Sequence, residues 1–286
     1  MRAKTFYLGS LVLIAAGTCA AQVSPKAPSY SELYCSGQVV TPKLPADSYL
    51  ISGEQSKEKL VFATGDYVYI NHGATKGARV GDEFLIMREV TEPLKVSWNK
   101  WQKKLTPAMG TIYHDLGRVR IVNVLPKTSI AEVVFACDYL QRGDLARPFQ
   151  ERPVPTFKEA PSTFDQFAPV SGKPVAMIVQ MHDFVQGGGN GSVVYVNLGI
   201  RQGVKIGDYI RAFRYQGTRA EFTYQTEGFE YKMYGFGSTP VRYTWEDLPR
   251  EVLGEGIVLR AGDNGSVVLL TYTRRDVYTG DYIELE

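Results

Sequence analysis

Hydrophobic residues in this chain gather in short runs rather than at helical spacing. Tyr67 to Asn71 and Val193 to Asn197 mix β-branched and aromatic residues, and Glu83 to Arg88 and Tyr209 to Arg214 each follow a Gly-Asp pair. Arg118 to Val124, Ile130 to Ala136, Gly256 to Arg260 and Ser266 to Thr273 are further runs of the same kind. Segments of this length and makeup, bounded by turn residues, predict β-strands. Gly262-Asp-Asn-Gly265 between two of them predicts a hairpin turn, because Gly adopts positive φ freely and Asn more readily than most residues.

The pattern is written twice. Gly65-Asp-Tyr-Val-Tyr-Ile-Asn-His-Gly-Ala-Thr-Lys-Gly-Ala-Arg-Val-Gly-Asp82 returns 126 residues later as Gly191-Ser-Val-Val-Tyr-Val-Asn-Leu-Gly-Ile-Arg-Gln-Gly-Val-Lys-Ile-Gly-Asp208. Leu116-Gly117, Ser129 and Gly143-Asp144 return 137 residues later as Leu253-Gly254, Ser266 and Gly280-Asp281. Unchanged spacing between landmarks marks a tandem duplication. With about five or six short strands per repeat, the economical fold is a small barrel that closes its own edges. The expectation is therefore an all-β chain of two tandem small β-barrels, SH3-like or similar, with repeat 1 over 35–149 and repeat 2 over 173–286. Between them, 150–172 contains Pro153, Pro155, Pro161 and Pro169 and predicts an extended, moderately stiff linker.

The repeated phrase Gly73, Gly77, Gly81-Asp82 and Gly199, Gly203, Gly207-Asp208 has two readings. One is a phosphate-cradling loop, but neither copy ends in Gly-Lys-Ser/Thr, forms Gly-x-Gly-x-x-Gly or leads into a helical pattern. The other is structural, with glycines for tight corners and the Asp carboxylate accepting backbone N–H bonds within the turn. The second reading also covers Gly143-Asp144 and Gly280-Asp281, which precede strands in the same way.

Val194-Tyr-Val-Asn-Leu-Gly-Ile-Arg-Gln-Gly-Val-Lys-Ile-Gly-Asp208, then Leu253-Gly-Glu-Gly-Ile-Val-Leu259 and Tyr278-Thr-Gly-Asp-Tyr-Ile283, resemble a small β-barrel module. It is the module at the C-terminus of flagellar assembly protein T and in envelope proteins that sometimes carry LysM domains. The resemblance covers both repeats, about four-fifths of the chain. It implies a periplasmic or outer-envelope scaffold module and supplies no catalytic residue. This chain doubles the barrel and has no LysM motif of its own.

Residues 1–21 differ in kind from the rest: Arg2 and Lys4, an apolar run from Phe6 to about Gly17, then small residues up to Ala21. This predicts a secretory signal peptide, too short in its apolar part for a comfortable span, against the alternatives of an uncleaved anchor or acylation at Cys19. The mature chain is then exported, without an integral membrane span, and 22–34 reads as a loose leader. Losing Arg2 and Lys4 takes the formal charge from +2 to 0, which leaves no basic surplus for nucleic acid. The 44% hydrophobic and 22% charged content is that of an ordinary globular protein, and the 18 Tyr and 13 Phe favour strands. Cys35 and Cys137 remain in repeat 1; in an oxidising compartment they predict a disulfide, with two separately buried thiols as the alternative.

Candidate chemistry is sparse. His72, His114 and His182 have no His or Cys at ligand spacing, so no metal site is read, and no cofactor motif is present. Ser192 and Ser266 lie in glycine-rich turns without Gly-x-Ser-x-Gly or an identifiable base. Glu227 with Glu230, and Glu246 with Asp247, are what a solvated loop carries. No residue is assigned a catalytic role. The repeats diverge at 91–115, with Trp98 and Trp101 placed to share a face of a short helix, and at 217–249. The latter holds Phe222, Tyr224, Phe229, Tyr231, Tyr234 and Trp245, arranged in part as a hairpin with one aromatic face. That face is either extra core over the barrel end or a partner surface for an envelope protein or a glycan. The functional expectation is a non-catalytic envelope scaffold or interaction protein, with a peptidoglycan- or polysaccharide-binding accessory module as the alternative.

Overall fold

The computed structural model describes residues 27–55, 57–91, 93–158, 164–215 and 249–286. The signal-like segment 1–21 lies outside the described residues, as does all of the aromatic insertion except Pro249. The chain is mostly β. Repeat 1 contains β1 (Gln38–Val40), β2 (Leu50–Gly53), β3 (Val61–Phe62), β4 (Tyr67–Ile70), β5 (Glu83–Glu89), β6 (Thr111–Val124), β7 (Ser129–Ala136), β8 (Leu140–Gln141) and β9 (Leu145–Pro148). Repeat 2 contains β10 (Val175–Met181), β11 (Gly187–Gly188), β12 (Val193–Val196), β13 (Tyr209–Arg214), β14 (Glu251–Ala261), β15 (Ser266–Thr273), β16 (Val277–Tyr278) and β17 (Tyr282–Leu285). Among the described residues there are two α-helices, α1 (Tyr30–Tyr34) and α2 (Gln102–Met109), both in the first half.

The duplication is visible as one strand order used twice. Repeat 2 is a closed barrel, β10-β12-β15-β14-β13-β17, and repeat 1 runs β2-β4-β7-β6-β5-β9 within a seven-stranded sheet that β1 joins through β6. Closure separates them. In repeat 2, Val175, Ala176 and Met177 pair with Glu284, Ile283 and Tyr282. In repeat 1, where a closed barrel was expected, β2 and β9 form no continuous ladder and meet at the isolated bridge Tyr49↔Leu145, with backbone bonds from Leu50 to Asp144, from Gly143 to Leu50 and from Ala146 to Ser48. Just before β2, Asp47 and Ser48 stand opposite β9 in place of Val175 and Ala176. They reach β9 through the Ser48 carbonyl, which accepts from Ala146 N–H, and the Asp47 carboxylate, which accepts from Arg147 at 3.0 Å; toward β4 the Asp47 carbonyl accepts from Asn71 and Lys76, and Ser48 Oγ meets His72 Nδ1 at 3.0 Å.

Each repeat has its own core. Repeat 1 packs Leu50, Phe62, Val68, Ile70, Phe84, Ile86, Leu116 and Val119 among others; repeat 2 packs Ile178, Val194, Val196, Ile210, Val258, Val268 and Ile283. The turns between strands follow one recipe. Gly65, Gly81, Gly143, Gly191, Gly207 and Gly280 all have positive φ, and the next residue accepts from the N–H three residues before it. These acceptors are Asp66, Asp82, Asp144, Ser192, Asp208 and Asp281, bonding Ala63, Arg79, Gln141, Gly189, Lys205 and Tyr278.

Two segments differ from expectation, and the contacts of a third add to it. Within the leader, 30–34 is a helix rather than loose chain, started by a capping box in which Ser29 Oγ accepts from Glu32 N–H and Glu32 accepts from Ser29 N–H at 2.7 Å. It is held by the disulfide Cys35–Cys137, Cα–Cα 5.5 Å, and by burial of Leu33 and Tyr34. Trp98 and Trp101 do not share a helix face: Trp98 precedes α2 and is buried, while Trp101 is the N-cap and is 49% exposed. The segment between the repeats, expected as an extended linker, has no strand or helix over 150–158 and 164–172 and is fastened to both repeats. Arg152 forms a bidentate pair with buried Asp115 at 2.8 and 2.9 Å. Further along, Phe157 packs on Ile257, Leu259 and Leu269, and Phe164 and Ala168 pack with Phe213 and Val252. Arg250 of repeat 2 bonds the carbonyls of Ala168 and Pro169 and pairs with Glu284 at 2.6 Å.

Candidate functional site between the repeats

The repeats are joined by a third core. Val39, Met109 and Ile112 of repeat 1 pack with Val179, Tyr195 and Val267 of repeat 2. The element that makes this contact is the divergent segment of repeat 1, the connection from β5 to β6. Its composition favours a helix over Gln102 to Ala108, and Pro107 followed by Gly110 at φ 124° ends it. Just before and within that helix, the Trp98 indole donates to the Thr279 carbonyl at 2.9 Å, and Gln102 Nε2 donates to the carbonyls of Leu94 and Val179 at 2.8 and 3.1 Å. Tyr195 adds a hydroxyl donated to the Ser36 carbonyl at 3.1 Å.

Two histidines that look isolated in sequence meet here. His114 on β6 and His182, in the turn directly after β10, have ring centroids 4.5 Å apart, and neither buried Nε2 has a hydrogen-bond partner among the described residues. The turn that places His182 holds Asp183 and Phe184 at positive φ, 59° and 55°, a conformation that costs non-glycine residues. The two histidines and Asp183 line a cavity of about 290 Å³ together with Asp115, Asp138 and the disulfide. Burial, and then the neighbouring His182, hold the His114 imidazole down at about 4. The His114 ring is therefore packed where a positive charge is unwelcome, while His182 Nδ1 lies 2.6 Å from the Asp183 carboxylate.

On another side of the interface a cavity of about 430 Å³ lies between β5 and β9 of repeat 1, the start of the linker, and β14. Leu85, Met87 and Leu259 give it apolar walls; Gln38, Arg147 and Arg260 give it polar ones. Sequence spacing carried no trace of either cavity, because each is assembled from residues far apart in the chain.

The remaining candidates from sequence are structural in their contacts. Gly73 and Gly199 start short 3₁₀ turns and Gly77 and Gly203 end them at φ 84° and 89°. The amides that a phosphate would need are already used: Ala74 and Thr75 donate to Leu125 and Pro126, and Ile200 and Arg201 donate to Gly262 and Asp263. Asp144 and Asp281 also receive Arg88 and Arg214, equivalent residues of the two repeats, in bidentate pairs of 2.7 and 2.9 Å and of 2.7 and 2.7 Å. This repeated pair was missed at sequence level, although the identical 126-residue spacing of the two arginines signalled it. His72 rests against Phe84 at the end of β4, and Ser192 is spent in its turn. Glu255 and Glu286 approach each other on repeat 2 with Lys158 of the linker bonded to both, so this carboxylate pair acts as a clamp for the linker. Phe222, Tyr224, Phe229, Tyr231, Tyr234 and Trp245 lie outside the described residues. Among the described residues, no helix is long and apolar enough to cross a membrane. No family model matches the chain, and no curated protein matches its sequence.

Proposed function

We propose that this is an exported, non-catalytic scaffold or interaction protein of the bacterial envelope, and that its partner-binding element is the connection between β13 and β14. The observation that carries this is the behaviour of the equivalent connection in repeat 1. That segment, between β5 and β6, is what fastens repeat 1 to a neighbouring barrel, through Trp98, Gln102 and Met109. Repeat 2 carries at the same topological position a longer segment richer in aromatics, and rings of this kind anchor protein interfaces. Export is supported by the signal-like 1–21, by the disulfide, which suits an oxidising compartment, and by the resemblance of both repeats to envelope barrel modules.

The test is capture of partners from envelope extract by the full chain and by a variant with Phe229, Tyr231 and Tyr234 changed to Ser. The expected result is loss of a captured protein with little change in melting temperature. A sharp fall in melting temperature would identify the rings as core, and unchanged capture by a folded variant would defeat the reading. Ring-dependent binding to purified peptidoglycan sacculi would promote the glycan alternative.

A further inference from the structure

Among the described residues, three largely buried arginines are matched by carboxylates: Arg152 by Asp115, Arg214 by Asp281 and Arg250 by Glu284. Arg260 is not. Its Nη2 donates to the neutral Gln38 Oε1 at 2.6 Å, and its buried Nη1 finds no acceptor among the described residues. Burial, reinforced by the charge of Arg152 and opposed by Asp115, holds its pKa down at about 10, so it is still charged near neutral pH. A cation carried into the interior without an anion is costly, and a guanidinium does not escape by losing its proton at ordinary pH.

This arginine borders the cavity of about 430 Å³ between the repeats, a volume in the range of small-ligand sites. The lining holds three arginines, Arg147, Arg152 and Arg260, against one acid, Glu151. Arg152 is committed to Asp115, and Arg147 reaches Asp47 at 3.0 Å. Arg260 is thus the cation with no carboxylate. Beside it, Leu85, Met87 and Leu259 offer an apolar wall. We propose that the cavity binds a carboxylate carried on a short apolar group, with the carboxylate on Arg260 and the apolar group against Leu85, Met87 and Leu259. A guanidinium suits a carboxylate because it offers parallel N–H donors, and the apolar wall favours an aliphatic body over a bare oxyanion. This inference does not depend on the partner-binding reading above and uses none of its residues.

The experiment is isothermal titration of the full chain with N-acetyl-leucine, with N-acetyl-leucinamide and with sulfate, on the parent and on Arg260→Gln. The acid is expected to bind at least about tenfold more tightly than the amide or sulfate, the scale of one charge-assisted hydrogen bond. Arg260→Gln should bring the acid to the level of the amide. Leu85→Trp, which fills the cavity and leaves Arg260 intact, should abolish binding of the acid. Equal affinity for acid and amide on the parent, or undiminished binding by either variant, would overturn the proposal, and sulfate binding as tightly as the acid would overturn its apolar half. The comparison of acid with amide on the parent decides the matter even if a variant does not fold.

Discussion

One hairpin occurs in both repeats with opposite surroundings. Between β6 and β7 repeat 1 carries Leu125-Pro-Lys-Thr128, and Leu125 is 45% exposed. Between β14 and β15 repeat 2 carries Gly262-Asp-Asn-Gly265, pressed onto repeat 1, where a Cβ on Gly262 would come within 2.3 Å of the Val39 carbonyl and one on Gly265 within 2.2 Å of Met109 Cγ. In both repeats the hairpin carbonyls accept from the 3₁₀ turn, so backbone function is shared and side-chain size is set by the neighbour. The same contrast runs along the strands. β6 mixes buried positions with partly and fully exposed ones, whereas β14 is buried continuously from Glu251 to Leu259. Phe157 and the Phe164–Ala168 stretch of the linker cover repeat 2 where the equivalent face of repeat 1 meets solvent more often. Repeat 2 is thus the enclosed unit, closed on itself and covered from outside, and repeat 1 is the open one that supplies part of the cover.

The largest expected effect tests how firmly the open unit depends on its disulfide. Cys35–Cys137 joins residues 102 apart in repeat 1, and repeat 2 has no cysteine. Replacing both by Ala should cost about 4–5 kcal/mol on the chain-entropy argument. Denaturant unfolding followed by both fluorescence and circular dichroism is the measurement. A single shifted transition would mean that the interface couples the repeats; a shifted early phase with an unchanged late one would mean that repeat 2 stands without repeat 1.

Next in size is the shared arginine–aspartate pair. Arg88→Met and Arg214→Met each strand a carboxylate, Asp144 or Asp281, whose side chain is 2% exposed, and loss of one partner of such a pair costs about 3–5 kcal/mol. Similar losses in thermal denaturation are expected from the two variants. A loss confined to Arg214→Met would show that only the closed barrel relies on the pair.

The histidine contact should make stability depend on pH. In the unfolded chain His114 takes up a proton near its ordinary pKa of 6.5, and in the folded protein only near 4, so between those values the unfolded state binds more protons. Stability is full above about pH 6.5, falls as pH drops toward 4 and levels off below, by at most about 3 kcal/mol from this residue. Asp183, Asp115 and Asp138 oppose the shift and His182 adds to it. His114→Gln should flatten the curve in that window, and an unchanged slope in urea melts at pH 4.5 and 7 would remove His114 as its source.

These contrasts explain what could be read from the sequence. The duplication, the strands, the Gly-Asp turns and the disulfide partners were legible because backbone geometry writes them locally: Gly207 needs positive φ and Asp208 closes the turn three residues back. The looser edge of repeat 1 was not legible, since Asp47 and Ser48 look like any polar stretch until β9 is placed beside them. His114 with His182, and Arg260 with Gln38, left no spacing signal, because their partners lie across the interface. The interface did leave one mark, a departure from the repeat: Gly262 and Gly265 stand where repeat 1 has Leu125 and Thr128.

That mark gives the smallest and most specific test. Gly262 is not at positive φ, so Gly262→Ala adds a methyl group without demanding a new backbone conformation, and what the methyl meets is the Val39 carbonyl of the other repeat. Backbone atoms cannot swing aside as a side chain does, so β1 or the hairpin must shift, at about 1–3 kcal/mol. The reciprocal change, Leu125→Gly, removes a half-exposed side chain from the equivalent bare hairpin and keeps its backbone bonds, so its cost should stay near the roughly 1 kcal/mol of added chain freedom. Hydrogen exchange separates the two. Gly262→Ala should speed exchange at amides on both sides of the interface, including Val39 and Ile112, whereas Leu125→Gly should affect only its own hairpin. If Gly262→Ala left exchange at Val39 unchanged, the two repeats would not be pressed together there, and the glycines of that hairpin would be serving the turn alone.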